Sequence, residues 1–127
     1  MSTPRLPATL ALLAWTFLVW TTRINNIVAD DDLDGGGKLA RVALALSFTV
    51  LAAVVGWALV RRETWLVRAV MALAVWTVVV WAVRAVGIAF ADHSAGFIAV
   101  HLVLAVISTV LAGLAVREQR SAPRVAA

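Results

Sequence analysis

The chain has 127 residues, of which 63% are hydrophobic and only 14% are charged, with a net charge of +4. Soluble domains carry about 25% charged residues, so this composition excludes an ordinary soluble protein and indicates a membrane protein. The chain has no cysteine, which excludes disulfides, thiolate metal sites and cysteine nucleophiles. Its basic residues are spread over predicted helix ends, so we expect no nucleic-acid partner.

Four apolar segments follow one another along the chain, at about 6–29, 39–60, 66–91 and 95–116. Each is close to the roughly 20 residues that a helix needs to cross a hydrocarbon core of about 30 Å. Because lipid offers the backbone no hydrogen bonds, each segment is predicted to be an α-helix. The sequence therefore predicts a single all-α transmembrane domain over residues 1–127, a four-helix bundle with a short cytoplasmic tail at 119–127.

The first segment has one feature of a secretory signal peptide. Ile27-Val28-Ala29 is similar to a cleavage site, but Arg23 and two asparagines interrupt the apolar region before it. The segment also matches the third helix, as described next. We therefore expect it to stay in the protein as a helix.

A short signature occurs twice, 61 residues apart. It consists of two tryptophans five residues apart and an arginine three residues after the second: Trp15, Trp20 and Arg23, then Trp76, Trp81 and Arg84. The second helices of the two halves also match, because Thr-Val-Leu-Ala occurs at 49–52 and at 109–112. The sequence therefore predicts two tandem helical hairpins, at about 6–62 and 66–118. Both point the same way and are related by a pseudo-twofold axis along the membrane normal.

Basic residues near the predicted helix ends indicate the orientation in the membrane. On one side only Lys38 and Arg41 occur, beside an acidic loop. The other side has seven arginines: Arg5, Arg61, Arg62, Arg68, Arg117, Arg120 and Arg124. We therefore expect a multi-pass protein with both termini in the cytoplasm and the aspartate-rich loop outside.

Each predicted helix places one basic side chain at a similar depth near the outer side. Arg23 and Arg84 lie about six residues before the ends of their helices, or about 9 Å at about 1.5 Å per residue. His101 lies about six residues into the fourth helix, and Arg41 is expected slightly closer to the surface. Asn26 follows Arg23 by one turn and can form a hydrogen bond with it. Together these five residues are predicted to form a basic layer in the outer leaflet.

Three interpretations of Arg23 and Arg84 stay open. Long basic side chains near helix ends reach the lipid headgroups, so both can act as anchors. They can also lock the two hairpins together, with Asp30 or Asp92 as a counter-charge. The third interpretation is an outward-facing pocket for an anionic group, such as a lipid phosphate or a carboxylate, because ionisable residues inside a membrane are often functional.

The tryptophans allow two interpretations as well. Trp20 and Trp81 lie nearer the middle of the membrane, where we expect them to pack between the hairpins. Alternatively, each indole stacks on the arginine three residues later as a cation–π pair. Trp57 and Trp65 are expected at the cytoplasmic interface, where tryptophan is common.

No cofactor or bound metal is expected. Asp30, Asp32 and Asp34 resemble the start of a calcium-binding loop, but Arg41 stands at the twelfth position, where that loop has a glutamate. A solvated turn is therefore expected. A haem site at His101 would need a second histidine facing it, and the only other histidine lies in a turn.

Three classes of function are compatible with these features. We expect a non-enzymatic membrane protein: an accessory or scaffold subunit, or a protein that binds lipid or a partner helix. It can also associate as a homodimer. The alternative is a small oligomeric transporter or channel, since internal repeats are common in transporters, although no acidic residue or proline lies deep in a predicted helix. A membrane enzyme would have only His101 as an acid–base group.

Two stretches resemble a family. The first reads Trp-Thr-x3-Trp-x2-Arg-Ile-x-Asn over residues 15–26. The second combines Trp81-x2-Arg84 with Asp92-His93-Ser94-x-Gly96-Phe97-x3-His101. They are similar to small, uncharacterised four-span membrane proteins of high-GC Gram-positive bacteria, over most of the chain. The composition, rich in Ala, Val and Arg, suits that source. The resemblance implies a plasma-membrane location and no particular activity.

Overall fold

The structure is a computed structural model that describes residues 7–29, 35–90 and 94–121. These residues form four α-helices: α1 (Pro7–Ala29), α2 (Gly35–Arg61), α3 (Leu66–Phe90) and α4 (Ala95–Ser121). No strand occurs among them. The prediction of an all-α four-helix bundle is therefore confirmed.

Three of the helices are long and apolar enough to cross a membrane: α2, α3 and α4, with 27, 25 and 27 residues. Helix α1 has 23 residues, and at about 1.5 Å per residue it is about 34 Å long, enough for a hydrocarbon core of about 30 Å. Its threonines, Arg23 and two asparagines interrupt its apolar stretch, and it is not among those three helices.

The helices are arranged in a square in which each one packs mainly against two neighbours. Helix α1 contacts α2 and α4, and α3 contacts the same two helices. The hairpins α1–α2 and α3–α4 therefore lie side by side. We call the end of the bundle near Pro7 and Ser121 the terminal end, and the end near Ala29 and Phe90 the hairpin end.

The two halves of the chain bury equivalent positions. Each of the seven buried residues of α1 has a buried counterpart 61 residues later in α3. The hydroxyls of Thr16 and Thr77 donate the same hydrogen bond, 2.7 Å long, to the carbonyl oxygens of Leu12 and Leu73. In α2 and α4 the spacing is 60, for the buried pairs Phe48 and Ser108, Ala52 and Ala112, Val55 and Ala115. The sequence repeat is thus also a repeat of packing.

Aromatic rings fill the centre of the bundle. Trp20 of α1 stacks on Phe48 of α2, with ring centroids 4.1 Å apart and planes 8° apart. Trp20 also contacts Trp81 of α3 at 5.9 Å, and Phe48 contacts Trp76 of α3 at 6.0 Å. Such offset or tilted pairs are favourable beyond the area they bury. This aromatic core links three of the four helices.

The connections have recognisable caps. At the end of α2, Glu63 N–H donates to the carbonyl oxygen of Ala58 and Arg62 N–H donates to that of Leu59. Arg62 has a φ of 53°, so this is a Schellman cap with arginine in the left-handed position. At the start of α4, the Ser94 hydroxyl accepts a bond from the N–H of Phe97, as an N-cap residue does.

The bounds of α2 and α4 differ from the prediction. Helix α2 begins at Gly35, four residues before the predicted start at 39. Beside this turn, Lys38 Nζ donates to the carbonyl oxygen of Val28 at the end of α1, where a cation is favoured. Helix α4 continues to Ser121, so residues 119–121 belong to the helix and not to the expected tail.

The last turns of α4 hold the start of α1. The Glu118 carboxylate accepts hydrogen bonds from the N–H groups of Ala8 and Thr9, at 3.0 and 2.8 Å, and from the Thr9 hydroxyl at 2.6 Å. Gln119 Nε2 donates to the same hydroxyl at 3.0 Å. The first N–H groups of a helix have no partner within it, and a carboxylate suits its positive end. We call this contact of Thr9 with Glu118 and Gln119 the terminal lock.

The terminal lock predicts a stability effect. Glu118→Ala leaves two backbone N–H groups and one hydroxyl without their acceptor, so we expect the free energy of unfolding to fall by about 1–3 kcal/mol. Unfolding in mixed micelles of mild detergent and SDS, followed by circular dichroism, measures this. Arg120→Ala, at an exposed neighbouring position, is the matched control and should change stability by less than about 0.5 kcal/mol. Equal effects of the two substitutions would show that the lock is not stabilising.

Candidate functional site

The basic residues lie at one level of the bundle, near the hairpin end. Arg23 and Arg84 stand six residues before the last residues of α1 and α3, and Arg41 and His101 stand six residues after the first residues of α2 and α4. The sequence suggested a shallower Arg41, but the early start of α2 at Gly35 gives it the same position along its helix. Six residues correspond to about 9 Å from each helix end.

One contact across the α1–α4 interface joins two of these residues. Arg23 Nη1 lies 3.2 Å from His101 Nε2, and His101 Nδ1 lies 2.8 Å from the carbonyl oxygen of Phe97. A guanidinium can only donate and a carbonyl can only accept. The imidazole is therefore neutral, with its proton on Nδ1, and it accepts the hydrogen bond from Arg23 on Nε2.

The His101 ring is held in this orientation from two sides. The Phe97 ring stacks on it with centroids 3.9 Å apart and planes 28° apart. The carbonyl oxygen of the same residue accepts its Nδ1–H, as described above. Only 8% of His101 is exposed, so the ring is part of the packed structure.

Arg84 is the counterpart of Arg23 in α3, and its surroundings differ. Its Nε is buried and has no hydrogen-bond partner among the described residues. Its guanidinium carbon lies 6.0 Å from the centroid of the Trp81 ring, at the outer limit of a cation–π contact. The Trp81 indole N–H is likewise buried without a partner in the described part of the chain. Trp20, the counterpart of Trp81, stacks on Phe48 instead.

Positive charge accumulates at this level. The side chain of Arg41 is exposed, and electrostatic repulsion acts among the guanidinium groups of Arg23, Arg41 and Arg84. Within residues 7–29, 35–90 and 94–121 the sequence has only two acidic residues, Glu63 and Glu118, and both lie at the terminal end. The described helices therefore provide no carboxylate to balance the three arginines.

The remaining predicted site residues take no part in these contacts or lie outside the described residues. Asn26 is exposed, whereas the next residue, Ile27, is buried. The predicted counter-charges Asp30 and Asp92 and the calcium-loop residues Asp30, Asp32 and Asp34 are outside the described ranges. Within those ranges no group of three His, Cys, Asp or Glu residues is placed to hold a metal ion.

Two tryptophan–serine hydrogen bonds were not expected from the sequence. Trp15 Nε1 of α1 donates to Ser108 Oγ of α4, and Trp76 Nε1 of α3 donates to Ser47 Oγ of α2, each at 2.9 Å. Both bonds join different repeats. The signal was present, because the two serines are separated by the same 61 residues as the two tryptophans. The terminal lock had no such signal, since its partners are about 110 residues apart.

Comparisons with known proteins identify no relative of this chain. No family model, no curated protein and no solved structure matches the chain. The interpretation of the site therefore depends on its geometry and charge.

The Arg23–His101 contact predicts an energetic coupling. His101→Leu removes the acceptor from a partly buried guanidinium, and Arg23→Met removes the donor from a buried imidazole. We expect the double variant to be more stable than the sum of the single effects implies, by about 1 kcal/mol or more. Unfolding of the four proteins in mixed micelles measures this coupling.

The control cycle combines Arg84→Met with His101→Leu. This pair shares no hydrogen bond, so its effects should add within about 0.5 kcal/mol. Additive behaviour in the Arg23 cycle as well would mean that the hydrogen bond contributes nothing to stability.

Proposed function

We propose that this protein is a non-enzymatic integral membrane protein that binds an anionic group at its basic layer. In this role it serves as an accessory or scaffold protein, and the anion belongs to a lipid or to a partner membrane protein. The observation that carries the proposal is the accumulation of charge. Three arginines repel one another at one level, and the described helices offer no carboxylate there.

The proposal includes an orientation in the membrane. All four helices span it, the terminal end lies in the cytoplasm and the hairpin end lies outside. In support, the terminal lock brings both ends of the described chain to one end of the bundle. The arginine-rich side predicted from the sequence is the same end. The resemblance to small four-span proteins of high-GC Gram-positive bacteria favours a plasma membrane.

The aromatic core argues against transport by a single chain. Trp20, Phe48 and Trp81 are at most 3% exposed and occupy the middle of the bundle. The one carboxylate in the described helices, that of Glu118, is engaged in the terminal lock. A transporter or channel would therefore need a pathway between several copies. Binding of an anion at the basic layer needs only one copy of the chain.

An enzymatic role has no support in the contacts of His101. This is the only histidine in the described helices, and both of its ring nitrogens are engaged within the bundle. An acid–base catalyst needs a ring nitrogen that reaches a substrate. The histidine instead acts as an acceptor for Arg23.

The orientation is testable because the chain has no cysteine of its own. Single substitutions Ser121→Cys and Ala95→Cys introduce a thiol at exposed positions at the terminal end and the hairpin end. We expect a membrane-impermeant maleimide to label Ala95→Cys on intact cells and Ser121→Cys only after the cells are opened. The reverse pattern would invert the proposed topology.

Anion binding is tested by native mass spectrometry after gentle extraction in native lipid. We expect the protein to retain an anionic lipid or a partner subunit, and to lose it when Arg23→Ala is combined with Arg84→Ala. Loss of two guanidinium contacts should weaken retention by about tenfold or more.

The matched control is Arg61→Ala combined with Arg117→Ala. It removes the same charge from exposed positions at the terminal end and should leave retention unchanged. A bare chain that is the same for all variants would contradict binding and leave the arginines as membrane anchors.

A further inference from the structure

We infer that the anion binds in one half of the basic layer, between α2 and α3, where Arg41 and Arg84 hold a phosphate group. This inference rests on the proposed function and specifies its subsite and ligand chemistry. It follows from a difference between two halves of the bundle that are otherwise equivalent.

The repeat relates two helix interfaces. It places α1 on α3 with a shift of 61 residues, and α2 on α4 with a shift of 60. The α1–α4 interface is thereby equivalent to the α3–α2 interface. Arg23 corresponds to Arg84, and His101 corresponds to Arg41. The α1–α4 interface therefore has one cation, Arg23, beside a neutral acceptor, His101. The α2–α3 interface has two cations, Arg41 and Arg84, at the equivalent positions.

The first half contains an acceptor of its own. Arg23 donates to His101 at 3.2 Å, and the Phe97 ring covers the imidazole. We call this pair the closed half. Its guanidinium has an acceptor that belongs to the bundle, so it has less need of an external anion.

In the second half, which we call the open half, the described residues provide no such acceptor for Arg84 Nε. Arg84 Nε is buried with no partner among the described residues, and the charges of Arg23 and Arg41 both repel its guanidinium. The residue equivalent to Phe97 is Gly37, 60 positions earlier, which has no side chain to cover Arg41. A buried guanidinium N–H without an acceptor is unfavourable, and an oxyanion would both accept from it and screen the repulsion.

The geometry favours a phosphate. Arg41 and Arg84 are carried by neighbouring helices, so their guanidiniums can donate to one group from different directions. A tetrahedral phosphate has oxygens that can accept from both. The site lies about 9 Å from the helix ends, within reach of lipid phosphates for side chains as long as arginine. The phosphate can therefore belong to a lipid headgroup or to a soluble ion, and the two sources are separated by experiment.

The test uses the full chain in nanodiscs of phosphatidylcholine with phosphatidylglycerol. Native mass spectrometry measures how many phosphatidylglycerol molecules each chain retains. A parallel arm in a neutral detergent measures the shift of the thermal unfolding temperature with inorganic phosphate. Retained phosphatidylglycerol identifies a lipid ligand. A phosphate-dependent shift without lipid retention identifies a soluble anion.

Single substitutions separate the two halves. We expect Arg84→Gln and Arg41→Gln each to weaken binding by about tenfold or more. Arg23→Gln should have a much smaller effect, because its partner is His101. Arg61→Gln is the charge-matched control at the terminal end and should leave binding unchanged.

Two further substitutions place the residue of one half at the equivalent position of the other half. Arg41→His supplies Arg84 with a neutral acceptor, as in the closed half, and should abolish binding while the protein stays folded. His101→Arg turns the closed half into a second pair of cations and should raise the count to two anions per chain. If His101→Arg does not fold, Arg41→His decides the question.

The possible outcomes separate the inference from the proposed function. Binding that is lost with Arg23→Gln and kept with Arg84→Gln would place the anion in the closed half. That result overturns the inference and leaves the proposed function intact. A native protein that binds neither phosphatidylglycerol nor inorganic phosphate would overturn the assigned phosphate chemistry. Retention of another anionic group in the native-lipid extract would then still support the proposed function.

Discussion

The stacking of Trp20 on Phe48 is the contact on which the rest of the bundle depends. Between helices in lipid there is no hydrophobic driving force, so association depends on close packing and on polar contacts. Trp20 touches both α2 and α3 from α1, and thereby joins one hairpin to the other. Trp20 and Phe48 are also among the most buried side chains, at 3% and 0% exposed.

The polar contacts are arranged in layers on either side of the aromatic core. Toward the terminal end, the bonds of Trp15 to Ser108 and of Trp76 to Ser47 join the two repeats, and beyond them the terminal lock joins α1 to α4. Toward the hairpin end, Arg23 contacts His101. The two layers toward the terminal end satisfy these donors within the protein. The basic layer does so in only one of its halves.

The pseudo-twofold symmetry holds for the buried packing positions and is broken in the basic layer. The threonine, tryptophan and apolar positions of α1 recur in α3, because both helices meet the same two neighbours. The basic layer has Arg41 in one half and His101 in the other. Arg23 therefore has an acceptor within the bundle, whereas Arg84 Nε has none among the described residues, so an external anion is favoured only at the second interface.

The amino-acid sequence by itself determined the four helices, their repeat and the similar position of Arg23, Arg84 and His101 along them. These follow from local hydropathy and spacing, since a backbone in lipid must form its own hydrogen bonds. Only the tertiary structure decided which residues meet: Arg23 with His101 across 78 positions, and Thr9 with Glu118 across 109. It also placed Arg41 six residues after the start of its helix, as His101 is in α4. Such pairings depend on which helices are neighbours and on how each helix is rotated about its axis. A local sequence pattern specifies neither the neighbours nor the rotation.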